Sequence, residues 1–192
     1  MYFKQPTSDE VARFLQRQSR AELNYPHVGM TGNDRVPDGY DFDFVEIELG
    51  QGREVFEAAR RAIQQWQQFD VGWAKAVPVS TPIRNGEVIA IRARMVGVWA
   101  MAACRIISTV DEDTDRCRRM GFTFGTLAAH PEQGEEQFEI EQTGAGEVVY
   151  RIKAVFRANY FAARLSWPYL RYRFNLFRRE SADAMCRSVA RQ

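Results

Sequence analysis

Residues Arg119 to Glu141, RMGFTFGTLAAHPEQGEEQFEIE, decide how the rest of the chain is organised. Phe122 and Phe124 alternate with Thr123 and Gly125, and Phe138 and Ile140 alternate with Gln137 and Glu139. A period of two puts successive side chains on opposite faces, so each end is expected as a half-buried strand. Between the two ends, Gly125-Thr126-Leu127, His130-Pro131 and Gly134-Glu135-Glu136 concentrate turn residues and titratable groups. Strands joined so closely pair antiparallel.

The same periodicities carry outward. Upstream, the spacing predicts strands over 72–79 and 87–95, with Ile89, Ile91, Ala93 and Met95 on one face and Arg92 and Arg94 on the other. Val98 to Val110 follows after the break at Gly97, and 116–126 is the next strand. Downstream, strands are expected over 135–142 and 147–157, separated by Gly144-Ala145-Gly146. Before this meander, Phe42, Phe44, Val45, Ile47 and Leu49 suggest a first strand. Residues 54–69 then read as a helix, with Val55, Phe56, Ala59, Ile63, Trp66 and Phe69 on one stripe. Thr7-Ser8-Asp9-Glu10 has capping-box spacing and opens a helix over 8–19, whereas the Gly- and Pro-rich stretch 24–39 is expected as an irregular arm.

At the carboxy end, Leu170, Phe174, Phe177, Ser181 and Met185 form a helical stripe, widened by Tyr169, Tyr172 and Leu176. Trp167-Pro168 interrupts it, which predicts a short helix and then a long one. A run of short-turned strands makes an antiparallel sheet, and one face must be covered. The final helix carries the long apolar stripe able to do so. The expected fold is therefore α+β: a helix-grip, with a curved antiparallel sheet of about six to seven strands around a long terminal helix. One domain is expected over 1–192, with 1–22 as an amino-terminal helical extension and 158–191 as the terminal helix.

Composition limits the function classes. The chain has 192 residues, 45% hydrophobic and 27% charged, so it is long enough for a sizeable core. Its 26 Lys and Arg nearly balance 25 Asp and Glu, which argues against nucleic acid as a partner. Cys104, Cys117 and Cys186 have no metal or redox spacing, so reduced thiols and a cytoplasmic location are expected. No cofactor signature occurs, and the longest apolar run, 95–104, is about half of the ~20 residues a membrane-spanning helix needs. Oligomeric state is not legible.

A set of motifs occurs in order: Tyr25-Pro26-His27-Val28-Gly29, Pro37-Asp38-Gly39-Tyr40, Trp66 with Phe69 and Gly72-Trp73, Pro82-Ile83 with Gly86, Gly97-Val98-Trp99, Cys104-Arg105-Ile106, and Gly125-Thr126-Leu127 with His130-Pro131 and Gly134-Glu135-Glu136. Together they resemble the domain-of-unknown-function family nineteen-ninety over roughly 25–185. The resemblance implies a fold of the birch-pollen-allergen and START-like helix-grip kind, with a cavity for a hydrophobic ligand, and it supplies no reaction. Two positions depart from the pattern. Gly32 stands where an arginine is expected after Thr31, and Arg157-Ala158-Asn159 stands in place of Ser-Arg-Pro.

The candidate chemistry centres on His130, beside Glu132, Glu135 and Glu136. Nearby carboxylates raise a histidine pKa and suit it to general-base work, whereas the structural alternative is a His-Pro loop whose ring caps a backbone carbonyl. His27, the other histidine, reads as structural, and no metal site is expected. Glu135 and Glu136 point to opposite faces, with Glu136 on the side of Phe138 and Ile140. A buried carboxylate needs a cation, and Arg92, Arg94 and Arg105 are the candidates. The expected ligand-binding set is Trp99, Phe122, Phe124, Phe138, Tyr150 and Arg94, and the catalytic candidates are His130, Glu136 and Arg105.

Three functions follow as expectations: binding of a small hydrophobic or amphipathic molecule or lipid between sheet and helix, a cyclase- or hydrolase-type enzyme using His130 in the same cavity, or lipid transfer. In the third, the eight arginines over 157–191, interleaved with aromatics, would make peripheral membrane contact. The competing reading packs that helix on the sheet and spends its arginines on solvent or on the acidic strand.

Overall fold

A computed structural model describes residues 1–33, 35–114, 117–160, 163 and 165–191. Alternating side chains build strands β1 (Asp41–Gln51), β2 (Ala74–Val77), β3 (Val88–Met95), β4 (Val98–Asp113), β5 (Arg118–Thr126), β6 (Glu132–Gln142) and β7 (Glu147–Ala158). They pair in the order β1-β7-β6-β5-β4-β3-β2, every neighbouring pair antiparallel. Register shifts at Glu48/Gly50 in β1 and Ile106/Ser108 in β4 sit in a curved sheet. The expected helix-grip fold is the observed one.

Helix α1 (Ser8–Gln18) starts at a formed capping box. The Thr7 amide donates to Glu10 Oε2 at 2.8 Å, and the Glu10 amide donates to Thr7 Oγ1 at 3.3 Å. This helix lays Val11 and Phe14 on the outer face of the sheet, against Ala90, Met101, Ala103 and Leu127.

The inner face holds the main core. Ile89, Ile106, Phe122, Phe138, Tyr150 and Ile152 meet Phe56, Ile63 and Trp66 from the region of α2 (Arg53–Gln64), and Phe177 and Met185 from α3 (Trp167–Ala190). Two helices therefore close the inner face, where the apolar stripes pointed to the last one alone. The helix expected over 54–69 ends at Gln64. Trp66 turns left-handed (φ 58°), and a 3-10 turn, Gln67–Phe69, follows. The break lets Trp66 and Phe69 both enter the core, and Trp66 donates through Nε1 to the Thr81 carbonyl at 2.8 Å.

The expected first strand forms, with Val45, Ile47 and Leu49 on its inner side and Phe42 and Phe44 exposed. Two further expectations need correction. Tyr169 and Tyr172 do not widen the buried stripe of α3 but are exposed, and Arg178 is buried instead. Strand β6 begins at Glu132, three residues before the expected start, because Gly134 pairs with Phe156 and carries the ladder through. The short helix expected ahead of Trp167 falls partly on 161, 162 and 164, and the strand start at 116 likewise; these lie outside the described residues.

The irregular arm is fastened by a carboxylate. Glu135 is 2% exposed on β6 and accepts from the Gly29 amide (2.6 Å), Tyr25 Oη (3.1 Å), the Thr31 amide (3.2 Å) and Thr31 Oγ1 (3.4 Å). Gly29 sits at φ +92°, a left-handed turn that costs an L side chain and suits glycine. Gly125 lies directly under Tyr25, and a β-carbon there would collide with the Tyr25 hydroxyl and come within 2.9 Å of Leu23. The glycines and Glu135 of the central stretch thus hold the arm against the sheet.

Candidate functional site

A cavity of about 710 Å³ is lined by the amino-terminal half of α3, by inward positions of the sheet, and also by Met1, Tyr2, Phe14, Arg17 and Met101. Its floor is β3 and β4, where the inward positions carry Ile91, Ala93, Ala100 and Ala102. Alanines at successive inward positions leave the space that larger side chains fill elsewhere on the sheet. Phe69, Trp73 and Phe124 close one side, while Phe156, Leu170, Phe174 and Phe177 form the roof and the other side.

One part of the wall is polar. Strand β6 alternates Glu132, Gly134, Glu136 and Phe138 on its inner side, so both Glu132 and Glu136 line the cavity. His130, in the β5–β6 connection, and Arg178, from α3, line it too. Asp43 of β1 accepts from Arg171 at 2.9 and 3.1 Å and pairs with Arg178 at 2.6 Å. Arg178, 4% exposed, comes no nearer than 3.9 Å to Glu136 and lies over the Phe156 ring at 5.0 Å. Glu132 Oε1 is closed off from solvent and has no hydrogen-bond partner among the described residues.

Electrostatics follow from this burial. Desolvation lifts the Glu136 carboxyl to about 7, with Arg178 opposing and Asp43 adding. Burial and then the charge of Glu136 drive Glu132 well above the ordinary carboxylate range, against the pull of Arg178 and Arg171. His130 moves opposite to the expectation. Burial lowers it to about 4, outweighing the backbone hydrogen bond with Glu132, which raises it, and the neighbouring carboxylates are not among the causes. Its ring accepts the Glu132 amide at Nδ1 (3.0 Å), rather than capping a carbonyl, so the ring proton sits on Nε2.

The sequence candidates divide between three places. Phe124, His130 and Glu136 lie on the cavity wall. Phe122, Phe138 and Tyr150 are buried in the core, with Tyr150 Oη 3.0 Å from Ser181 Oγ. Trp99, Arg94 and Arg105 lie away from the cavity, since all three occupy outward positions. Trp99 bridges to Tyr2 and faces Arg92, Arg94 is exposed, and Arg105 donates to the Ser19 carbonyl at 2.8 Å. Arg92 also stays on the outer side, 3.4 Å from the Pro6 carbonyl. The cation for Glu136 is instead Arg178. Histidine pairing is absent as well, since His27 is exposed on the arm while His130 is buried.

Sequence reasoning missed Glu132, Arg178 and the alanine floor. Each had a signal: Glu132 shares the parity of Glu136, Arg178 lies four residues after Phe174 on the apolar stripe, and the alanines alternate inward.

Among the described residues no helix is long and apolar enough to cross a membrane. Among solved structures, an aromatase/cyclase from Streptomyces sp. R1128 matches with a TM-score of 0.53 at 10% identity, over 79% of this chain and 94% of that one. A hypothetical protein from Helicobacter pylori matches at TM-score 0.50 and 9% identity, over 78% and 86%. At such identities the likeness concerns the fold alone. A UPF0548 protein of Dictyostelium discoideum is 30% identical over 204 residues, covering 97% of this chain and 94% of its own. One from Arabidopsis thaliana is 33% identical over 155 residues, 79% of this chain and 75% of its own. The family model described as Domain of unknown function (DUF1990) matches residues 24–184, and the chain belongs to that family.

Proposed function

We propose that this protein is a single helix-grip domain that binds a small hydrophobic or amphipathic molecule between its sheet and α3, and that it works in the cytoplasm without a cofactor. The observation that carries this reading is the cavity of about 710 Å³, floored by alanines and walled by phenylalanines, with one polar patch. Pockets of that size and mixed lining suit a drug-sized ligand. Titration with the fluorescent apolar probe N-phenyl-1-naphthylamine tests it. Enhanced fluorescence, abolished by Ala102→Phe in a folded variant, is expected. An undisturbed probe, or equal binding by Ala102→Phe, overturns the reading. Native mass spectrometry of protein purified from its own host then identifies a retained ligand.

The cyclase or hydrolase alternative draws on Glu136, whose carboxyl near 7 is suited to proton transfer at a cavity wall that also carries His130. It predicts turnover of the recovered ligand that Glu136→Gln abolishes. Lipid transfer through an arginine-rich terminal helix has less support. Arg171 and Arg178 are spent on Asp43, and Arg173 stacks on Trp73 at 3.7 Å.

A further inference from the structure

We propose that the ligand of this cavity is an amphipathic amine, its ammonium head seated on Glu132 and Glu136 and its apolar body on the alanine floor. The proposal rests on the ligand-binding reading above and specifies the chemistry of the occupant. Its basis is the distribution of charge around the cavity. The charges acting on Glu132 and Glu136 are Asp43, Arg171 and Arg178. Arg17 and Arg173 also line the cavity but act on neither glutamate, and Arg173 stacks on Trp73 at 3.7 Å. Asp43 engages both guanidiniums at hydrogen-bond distance, whereas Glu136 has Arg178 only at 3.9 Å. Glu132 is 9% exposed, lines the cavity, and leaves Oε1 without a hydrogen-bond partner among the described residues.

A buried carboxyl without a partner is costly, so the missing component is a donor, and a positive one satisfies both glutamates at once. An ammonium brings three donors and a charge, whereas an alcohol brings one donor and none. An anionic head is disfavoured. Arg178 is engaged by Asp43 at 2.6 Å, and although its Nε is buried without a hydrogen-bond partner among the described residues, an anion there would sit beside Glu136 as well as Asp43. The other titratable groups that act on this pair are His130, neutral above its pKa of about 4, and the buried Tyr150 and Cys104, both raised. None of these supplies a cation at neutral pH.

Burial keeps both glutamates protonated to higher pH than usual, so seating a cation on them expels protons. Amine affinity should therefore rise with pH through about 7, while that of a neutral analogue stays flat.

Competition against N-phenyl-1-naphthylamine with n-octylamine, n-octanol and n-octanoate tests the head-group chemistry at constant apolar body. At pH 8 octylamine is expected to bind about ten-fold more tightly than octanol, with octanoate weakest. Glu132→Gln and Glu136→Gln each reduce that preference about ten-fold and leave octanol within about two-fold. If a glutamine variant fails to fold, the wild-type comparison of octylamine with octanol at pH 6 and pH 8 gives an independent decision. Equal binding of amine and alcohol, or tightest binding of octanoate, overturns the proposal and leaves the cavity reading standing. So does naphthylamine binding that octylamine cannot displace. Failure of the naphthylamine itself to bind removes both.

Discussion

Two buried titratable groups in the cavity wall, the acid Glu136 and the base His130, should pull stability in opposite directions with pH, and single substitutions should separate them. Glu136 sits at about 7 in the folded protein against 4.5 ordinarily. A carboxyl raised on folding favours the native state at low pH, and that contribution fades as pH rises from 4.5 through 7. A displacement of that size corresponds to about 3 kcal/mol at full extent. His130 does the reverse. Held at about 4 against 6.5, it stays neutral in the folded protein, so native stability is complete above 6.5 and is lost as pH falls toward 4. The magnitude is again about 3 kcal/mol.

Between pH 4.5 and 6.5 the two contributions offset, leaving a shallow wild-type profile. Glu136→Gln exposes the histidine and should lose up to about 3 kcal/mol as pH falls from 6.5 to 4. The loss is softened by Glu132, which is raised in the same direction as Glu136. His130→Asn keeps a side-chain acceptor for the Glu132 amide and exposes the glutamates, so its stability should climb as pH falls from 7 to 4.5. Urea unfolding followed by tryptophan fluorescence at half-unit pH steps measures both. Parallel profiles for wild type and the two variants would refute the reasoning, because Glu136 and His130 would then titrate alike in the folded and unfolded chains.

Two further outcomes follow from the packing of the central stretch. A β-carbon at Gly134 (φ +151°) would be driven into the Val155 carbonyl and lie 2.8 Å from Phe156 Cα, so Gly134→Ala should cost more than about 3 kcal/mol in urea unfolding. It should also cost more than Gly125→Ala, which meets side chains; the reverse order would contradict the assigned contacts. Glu135→Ala leaves the Gly29 and Thr31 amides and the Tyr25 hydroxyl without their acceptor, a loss of about 3 kcal/mol or more, with faster limited proteolysis between 24 and 40. Unchanged cleavage there would show that the arm is held by other contacts.

Elements with a strong local period were legible in the sequence. The strand alternation, the capping box at Thr7 and the apolar stripe of α3 all depend on neighbours within a few residues. The break of α2 was not. Trp66 accepts a left-handed backbone because its ring is buried and its indole reaches Thr81, fifteen residues away, a contact no local pattern announces. The partner of Glu136 was mislocated for a different reason. Once Ile89, Ile91 and Ala93 were placed inward, the same alternation put Arg92 and Arg94 outward, so neither was available to an inward carboxyl. The helix stripe already contained Arg178, a charge at an apolar position, and that mismatch was the signal for a buried ion pair.

Glu135 and Glu136 show how one strand gives identical side chains different chemistry. Alternation sends Glu135 to the side where the arm supplies four donors, and the group becomes a staple for residues 25–31. It sends Glu136 to the cavity, where Arg178, 3.9 Å away, is already engaged by Asp43. Moving the register of β6 by one residue would exchange these environments, placing Glu136 at the arm and Glu135 in the cavity. Register is therefore part of the site. It is fixed by Gly134, whose conformation and close approach to β7 no other residue tolerates, and by Thr126, whose hydroxyl accepts the Gly134 amide at 2.9 Å. The Gly-Thr-Leu and Gly-Glu-Glu segments are coupled for this reason: the first locks the second into the register that turns one glutamate toward the arm and the other toward the ligand space.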